Sequence, residues 1–268
     1  MTDRITFIGG GNMAYALAMG VLKSEESVNI TVADPAPDAL SKFSNTDIFV
    51  THDNVEAIEF GDVIVLAIKP QILSEIIIPL ANALAGKLVI SIAAGVPITT
   101  LTRLLNDQTP IIRCMPNTPA LFGAGITGMI ANDQVDTRHR KLANRIMDAT
   151  GSTIWFENDN ELDAVTAISG SVPAYFFYLV EAMVESGKAL GISSENALQL
   201  ASYTALGAAK MLIESGDTAN ILRSNVTSPG GTTERAISIL EDNFVGKTIR
   251  EAVAGAYQRS QELAEEYG

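Results

Sequence analysis

The sequence predicts an α/β protein, with a doubly wound parallel sheet over residues 1–160 followed by an all-helical domain over 161–268. Three observations predict it. Short apolar runs alternate with helical patterns through the first half. Several of these runs are continuously apolar, as strands covered on both faces must be. After about residue 160 strand patterns stop and long helical periodicities take over.

The elements follow in order. "RITFIGG" is a strand, and Met13, Leu17 and Val21 mark the helix after it. "NITVAD" is a second strand. "DVIVLAIKP" and "GKLVISIAAG" are too short for buried helices and suit central parallel strands. "PIIRCMP", "GITGMIAN" and "STIWF" are further strands, with a helix over 136–149. In the second half Val172, Phe176, Leu179, Val180 and Met183 share one helical face, with Pro173 in the first turn, where a missing N–H costs nothing. A second helix follows Ser193 or Ser194 as cap and carries the small residues Ala201, Ala205, Gly207, Ala208 and Ala209. The last helix covers 247–266.

Composition narrows the function. With 47% hydrophobic and 18% charged residues, 268 residues suffice for two cores. A net charge of -13 repels phosphate backbones, so nucleic acid is not an expected partner. One cysteine, Cys114, excludes an intramolecular disulfide and fits a reducing, cytoplasmic setting. Its apolar neighbours make it a core residue rather than a nucleophile. His52 and His139 are the only histidines and neither has a ligand partner nearby, so no metal site is expected. No apolar segment precedes the first strand, and no uninterrupted apolar stretch approaches the roughly 20 residues of a membrane helix. No membrane partner is expected.

Gly9, Gly11 and Ala14 fit G-x-G-x-x-A between a strand and a helix. Gly9 permits a tight turn, Gly11 lets a pyrophosphate approach the backbone, and Ala14 allows close helix packing. Free N–H groups at the helix start face the phosphates. A glycine-rich turn without a ligand is the bland alternative. The strand-helix-strand context favours a Rossmann-type dinucleotide site, and Asp34 ends the second strand where a ribose contact belongs. Lys69 lies between a buried strand and Pro70, placed either to face a ligand or to be solvated. The second dense stretch is "ILRSNVTSPGGTTERAISILE". Gly231 can cap a helix with Glu234 at its third position. The hydroxyls of Ser228, Thr232 and Thr233 and unpaired N–H groups could hold a small carboxylate. By its chemistry alone the loop reads equally as an ordinary capped helix start.

"SNVTSPGGTTERAISILE" resembles the signature of the pyrroline-5-carboxylate reductases. The resemblance runs through "FIGGGNMA", "AIKP", "SIAAG", "IRCMPNTPA", "DAVTAISGSVPAYFFYLVEAM" and "GAAKML", and so covers essentially the whole chain. Val172 departs from it, since glycine often precedes that proline in the family. The resemblance implies that NADPH or NADH passes a hydride to 1-pyrroline-5-carboxylate, giving L-proline. It implies that Thr233 donates to the imine nitrogen and that Gly230, Gly231 and Thr232 hold the substrate carboxylate through backbone N–H groups, beside Ser228. Asn225 would lie beside the nicotinamide ribose. Asn12, Met13, Asn54, Ala67, Lys69, Pro70 and Ala94 match positions around the cofactor, with Gly9, Gly11 and Asp34. The helical half would be a dimerisation domain whose helices interleave with those of a second subunit, near the active site, and dimers would assemble further. Two readings stand beside this one. A 3-hydroxyacid dehydrogenase would need a helix lysine, and Lys188 and Lys210 lack that family's context. A non-catalytic dinucleotide sensor would not need the 228–233 loop. As to cofactor, Asp34 favours the ribose hydroxyls of NADH and repels a 2′-phosphate, and "PAPDAL" after it offers no cation.

Overall fold

The computed structural model describes residues 3–24 and 28–268. Strands β1 (Asp3–Ile8), β2 (Val28–Ala33), β3 (Phe49–Thr51), β4 (Val63–Leu66), β5 (Leu88–Ser91), β6 (Ile111–Met115), β7 (Gly125–Ala131) and β8 (Gly151–Trp155) form one sheet. Their order is β3-β2-β1-β4-β5-β6-β7-β8. The helices among them are α1 (Asn12–Ser24), α2 (Pro37–Ser41), α3 (Asn54–Phe60), α4 (Pro70–Ile77), α5 (Ala81–Leu84), α6 (Ile98–Leu105), α7 (Thr137–Asp148) and α8 (Asp159–Val165). Then follow α9 (Val172–Ala189), α10 (Ser194–Glu214), α11 (Ala219–Asn225), α12 (Thr232–Asp242) and α13 (Val245–Tyr267).

The strands from β3 to β6 are parallel, and the strand order reverses between β1 and β4. Strand alternation explains the two cores. Ile5, Phe7, Val63 and Val65 face Leu17 and Val21 of α1, while Ile8, Ile64 and Leu66 face Ile58, Leu73 and Ile77. Both faces are therefore covered, and β4 and β5 are buried throughout. The expected all-parallel pattern breaks at β7, which runs antiparallel to β6. The connection from Met115 to Gly125 holds only a short 3₁₀ turn, too little chain for a parallel crossover. The α7 crossover restores parallel pairing between β7 and β8. β3 and the short helices α2 to α6 are additional to the sequence reading.

The chain divides into two compact units, Met1–Ser171 with Ala256–Gly268, and Val172–Gly255. The division differs from the expected boundary at residue 160. Asp159 and Asp163 of α8 face the buried Arg113 guanidinium, which keeps α8 with the sheet. The last helix also returns to this unit. Ser260 Oγ donates to Asp163 Oδ1 (2.8 Å), Gln71 Nε2 donates to Tyr267 Oη (2.8 Å), and Leu263 fills the space beside Gly95.

In the other unit Ser193 caps α10, accepting from the Asn196 N–H (3.2 Å). The apolar face expected on α9 is exposed. Phe176, Leu179 and Met183 are 58%, 55% and 41% accessible. The run Asp159–Ala189 is also long and apolar enough, by length and composition, to cross a membrane, which the sequence reading did not expect. Its first turn is tied to Arg113 of β6.

Arg113 is 1% exposed and the largest fully buried side chain. It pairs with Asp159 and lies 3.7 Å from Asp163, while Asp159 also accepts from the Ile98 N–H at the start of α6 (3.2 Å). Removing one member of a buried ionic group leaves the others uncompensated. Arg113→Leu is therefore expected to cost about 3–5 kcal/mol, read as a lower urea midpoint. An unchanged midpoint would mean that the cluster does not hold β6, α6, α8 and α13 together.

Candidate functional site

The cofactor candidates gather at the carboxyl ends of the central strands. In register, Ile8 of β1 lies beside Ala33 of β2 and Leu66 of β4. Gly9, Asp34 and Ala67 are thus the next residues on three adjacent strands, at the point where strand order reverses. Such a point opens a crevice in sheets of this type. Lys69, Pro70 and Ala94 follow the ends of β4 and β5, and Asn54 opens α3 beyond β3.

The three glycines have three different reasons. Gly9 has φ +103, and a Cβ there would lie 2.4 Å from the Ala67 carbonyl oxygen. Gly10 donates its N–H to Asp34 Oδ2 (2.8 Å). A Cβ on Gly11 would meet nothing within 4 Å. Open space above the first turn of α1 is what a pyrophosphate needs, so these residues fit a dinucleotide. Asn12 and Met13 begin α1 with N–H groups that have no acceptor inside the helix.

Asp34 is half-buried and turned toward this loop. Its second oxygen accepts from the Ala36 N–H (2.8 Å), and its backbone carbonyl contacts His52 Nδ1 (2.9 Å). "PAPDAL" itself carries no cation. Lys42, two residues beyond "PAPDAL", donates from Nζ to Asn12 Oδ1 (2.8 Å). Lys69 is exposed and caps α4 through its backbone, with Pro70 at the first helical position. Asp53 caps α3 by accepting from the Val55 N–H (2.8 Å), which fixes Asn54 at its start. Cys114 is buried and burial pushes its thiol far up, as expected for a core residue. Among the described residues no cluster of side chains could hold a metal ion.

The second cluster lies in the Val172–Gly255 unit. Asn225 closes α11, and the loop from Val226 leads to Gly231 as the backbone cap of α12. Gly230 takes φ +73, and a Cβ on Gly231 would lie 2.9 Å from the Ser228 carbonyl oxygen. The sequence reading gives the Gly230 and Gly231 N–H groups to a substrate carboxylate. In the structure both N–H groups also bond within the loop. The Gly230 N–H donates to Glu234 Oε2 (2.7 Å) and the Gly231 N–H to the Ser228 carbonyl (3.0 Å). Backbone geometry at 228–231 thereby sets the direction of α12. The N–H groups of Thr232 and Thr233 have no acceptor inside the helix. Thr233 is half-buried, whereas Thr232 and Ser228 are exposed. The first turn of an eleven-residue helix with two threonines can hold an anion and donate from a hydroxyl. Sequence reasoning missed Gly10, Lys42 and the Glu234 contact. Only Glu234, at its cap spacing, left a signal.

Two family descriptions match the chain. Pyrroline-5-carboxylate reductase dimerisation matches residues 159–263, and NADP oxidoreductase, coenzyme F420-dependent, matches residues 4–95. A pyrroline-5-carboxylate reductase of Pseudomonas aeruginosa is 43% identical over 100% of this chain and 99% of its own length. The solved pyrroline-5-carboxylate reductase of Coxiella burnetii superposes with TM-score 0.92 at 38% identity, covering 98% of this chain and 99% of that one. A Plasmodium falciparum pyrroline carboxylate reductase with NADP bound gives TM-score 0.88 at 29% identity, with 98% of each chain covered.

The glycine geometry separates folding from binding. Gly9→Ala sets a Cβ against backbone in a left-handed conformation and is expected to lower the melting temperature by several degrees, a cost of order 1–3 kcal/mol or more. Gly11→Val is expected to melt close to wild type while losing nicotinamide cofactor affinity. Unchanged cofactor titration in folded Gly11→Val would remove the pyrophosphate from this turn.

Proposed function

The chain belongs to the pyrroline-5-carboxylate reductase family, and from that premise we propose which of its residues carry the reaction. The enzyme reduces 1-pyrroline-5-carboxylate to L-proline with NAD(P)H, the last step of proline biosynthesis. The cofactor supplies the hydride. The chain's own residues must orient an imine and its carboxylate and supply a hydrogen bond at nitrogen.

Gly9, Gly11, Asn12 and Met13 seat the pyrophosphate, and Asp34 accepts from the adenosine ribose. Asn54, Ala67, Lys69, Pro70 and Ala94 line the remainder of the crevice, and Asn225 reaches the nicotinamide ribose. The observation that carries the substrate assignment is the start of α12, with two free N–H groups, two threonine hydroxyls and the positive end of the helix dipole. The carboxylate is held there by the backbone N–H groups of Gly230, Gly231 and Thr232, beside the Ser228 hydroxyl. The Thr233 hydroxyl, half-buried and so partly shielded from water, donates to the imine nitrogen as the pyrrolidine forms. Lys188 and Lys210, which a hydroxyacid dehydrogenase would need, both lie in the Val172–Gly255 unit on α9 and α10.

The dimerisation match over 159–263 accounts for the exposed faces of α9 and α10, which a second copy would cover. Assembly of dimers into a larger ring and a cytoplasmic location belong to the same reading. The lone buried cysteine is compatible with a reducing compartment.

Thr233→Ala is expected to lower kcat about 10²-fold with NAD(P)H binding intact. Loss confined to KM would make Thr233 a binding residue instead. Leu179→Glu on α9 is expected to shift the sedimenting species toward monomer. A wild-type enzyme that is monomeric and fully active would contradict the dimer.

A further inference from the structure

The sequence alone sets Asp34 against NADPH, because the carboxylate belongs where the adenosine ribose carries its 2′-phosphate. The folded chain brings a cation, Lys42, to the start of α1. α2 leans over the glycine turn, with the Ala39 carbonyl 3.3 Å from where a Cβ on Gly10 would stand. Leu40 and Phe43 are buried beneath it, and Phe43 meets Tyr15 of α1 edge to face at 5.4 Å. That packing fixes the backbone of Lys42 between them. Its exposed side chain reaches back to Asn12, the first residue of α1, through the 2.8 Å bond from Nζ to Oδ1. The ammonium therefore stands at the helix start, two residues along the chain from Gly10, whose N–H binds Asp34.

Asp34 is also less repulsive than an isolated carboxylate. Each oxygen already accepts a backbone N–H, from Gly10 and from Ala36. Those donors spread its charge and hold it in place. Asp38, in the first turn of α2, is exposed, and His52 touches only the Asp34 backbone carbonyl.

We infer that Lys42 is the residue that admits the 2′-phosphate of NADPH beside Asp34, so that one site serves both nicotinamide cofactors. This rests on the proposed cofactor site and adds the specificity residue to it. A lysine ammonium is a point charge on a flexible stem, suited to leave Asn12 for a phosphate when one is present. NADH offers no such anion, and Lys42 then keeps its bond to Asn12.

The test is equilibrium binding of NADPH and NADH, read by nucleotide fluorescence without substrate, to wild type, Lys42→Met and Lys42→Arg. The expected result is a roughly tenfold weaker NADPH complex in Lys42→Met, NADH changed less than twofold, and recovery of NADPH in Lys42→Arg. NADPH binding to wild type should weaken with salt more steeply than NADH binding, and Lys42→Met should remove the difference. Equal loss of both cofactors would overturn the inference by assigning Lys42 to the shared pyrophosphate. No loss of either would overturn it outright. Wild type that binds neither cofactor would instead remove the cofactor site, and the inference with it. The melting temperature of each variant separates these outcomes from misfolding.

Discussion

The Ala67 carbonyl oxygen lies where a side chain on residue 9 would begin, 2.4 Å from the position of its Cβ. That one approach sets how closely β1 and β4 end, and it is where the strand order turns back on itself. With glycine there, β1 can hand the chain to α1 directly over the end of β4. The Gly9 N–H still reaches the Ala33 carbonyl (2.7 Å), and the Ala67 N–H reaches the Ile8 carbonyl (2.8 Å). The pairing of three strands therefore extends into the loops that form the crevice. The sheet's register, more than any one side chain, delivers Gly9, Asp34 and Ala67 to the same place.

The sign of charge follows from that placement. The chain is acidic overall, yet the two loops proposed to take a phosphate and a carboxylate offer backbone N–H groups at helix starts rather than clusters of arginine. Such donors attract a phosphate or carboxylate locally without changing the repulsive far field. In both loops a native carboxylate takes one of the available N–H groups. Asp34 takes Gly10, and Glu234 takes Gly230. Each acid orders its glycine loop and leaves the N–H groups of the following helix free. The same device thus appears in two units of unrelated architecture.

The sheet was legible because parallel strands are apolar on both faces. "DVIVLAIKP" and "GKLVISIAAG" could be nothing else at their length, and both became central strands. The glycine fingerprint was legible because Gly9 answers a local steric demand and Gly11 stands at its fixed spacing from it in G-x-G-x-x-A. Less legible was whatever depends on distant chain meeting in space. Arg113 sits in an apolar run with no sign that Asp159 and Asp163 await it 46 and 50 residues on. Lys42 lies two residues beyond "PAPDAL", and only the fold shows its bond to Asn12 at the start of α1. The 228–231 loop announced a helix start, but of its internal hydrogen bonds only the one to Glu234, at its cap spacing, left a signal. β7 reversed direction because its connection is short, a length the sequence displays but the apolar pattern does not.

The exposed helices complete the physical account. Along Val172–Gly255 only Ala197 and Ala201 are buried hydrophobics among the described residues, while Phe176, Phe177, Leu179, Leu200, Tyr203 and Leu206 are each more than half accessible. A unit of that size must remove large apolar side chains from water to offset its chain entropy, and two alanines cannot do so. The amphipathic pattern that predicted these helices was therefore sound as a statement of which faces are apolar and silent about what covers them. Within one chain the stripe has no core to enter. The match to a dimerisation family over 159–263 supports oligomerisation, in which a second copy would cover this stripe. Were the stripe covered in that way, the stability of α9 and α10 would depend on association.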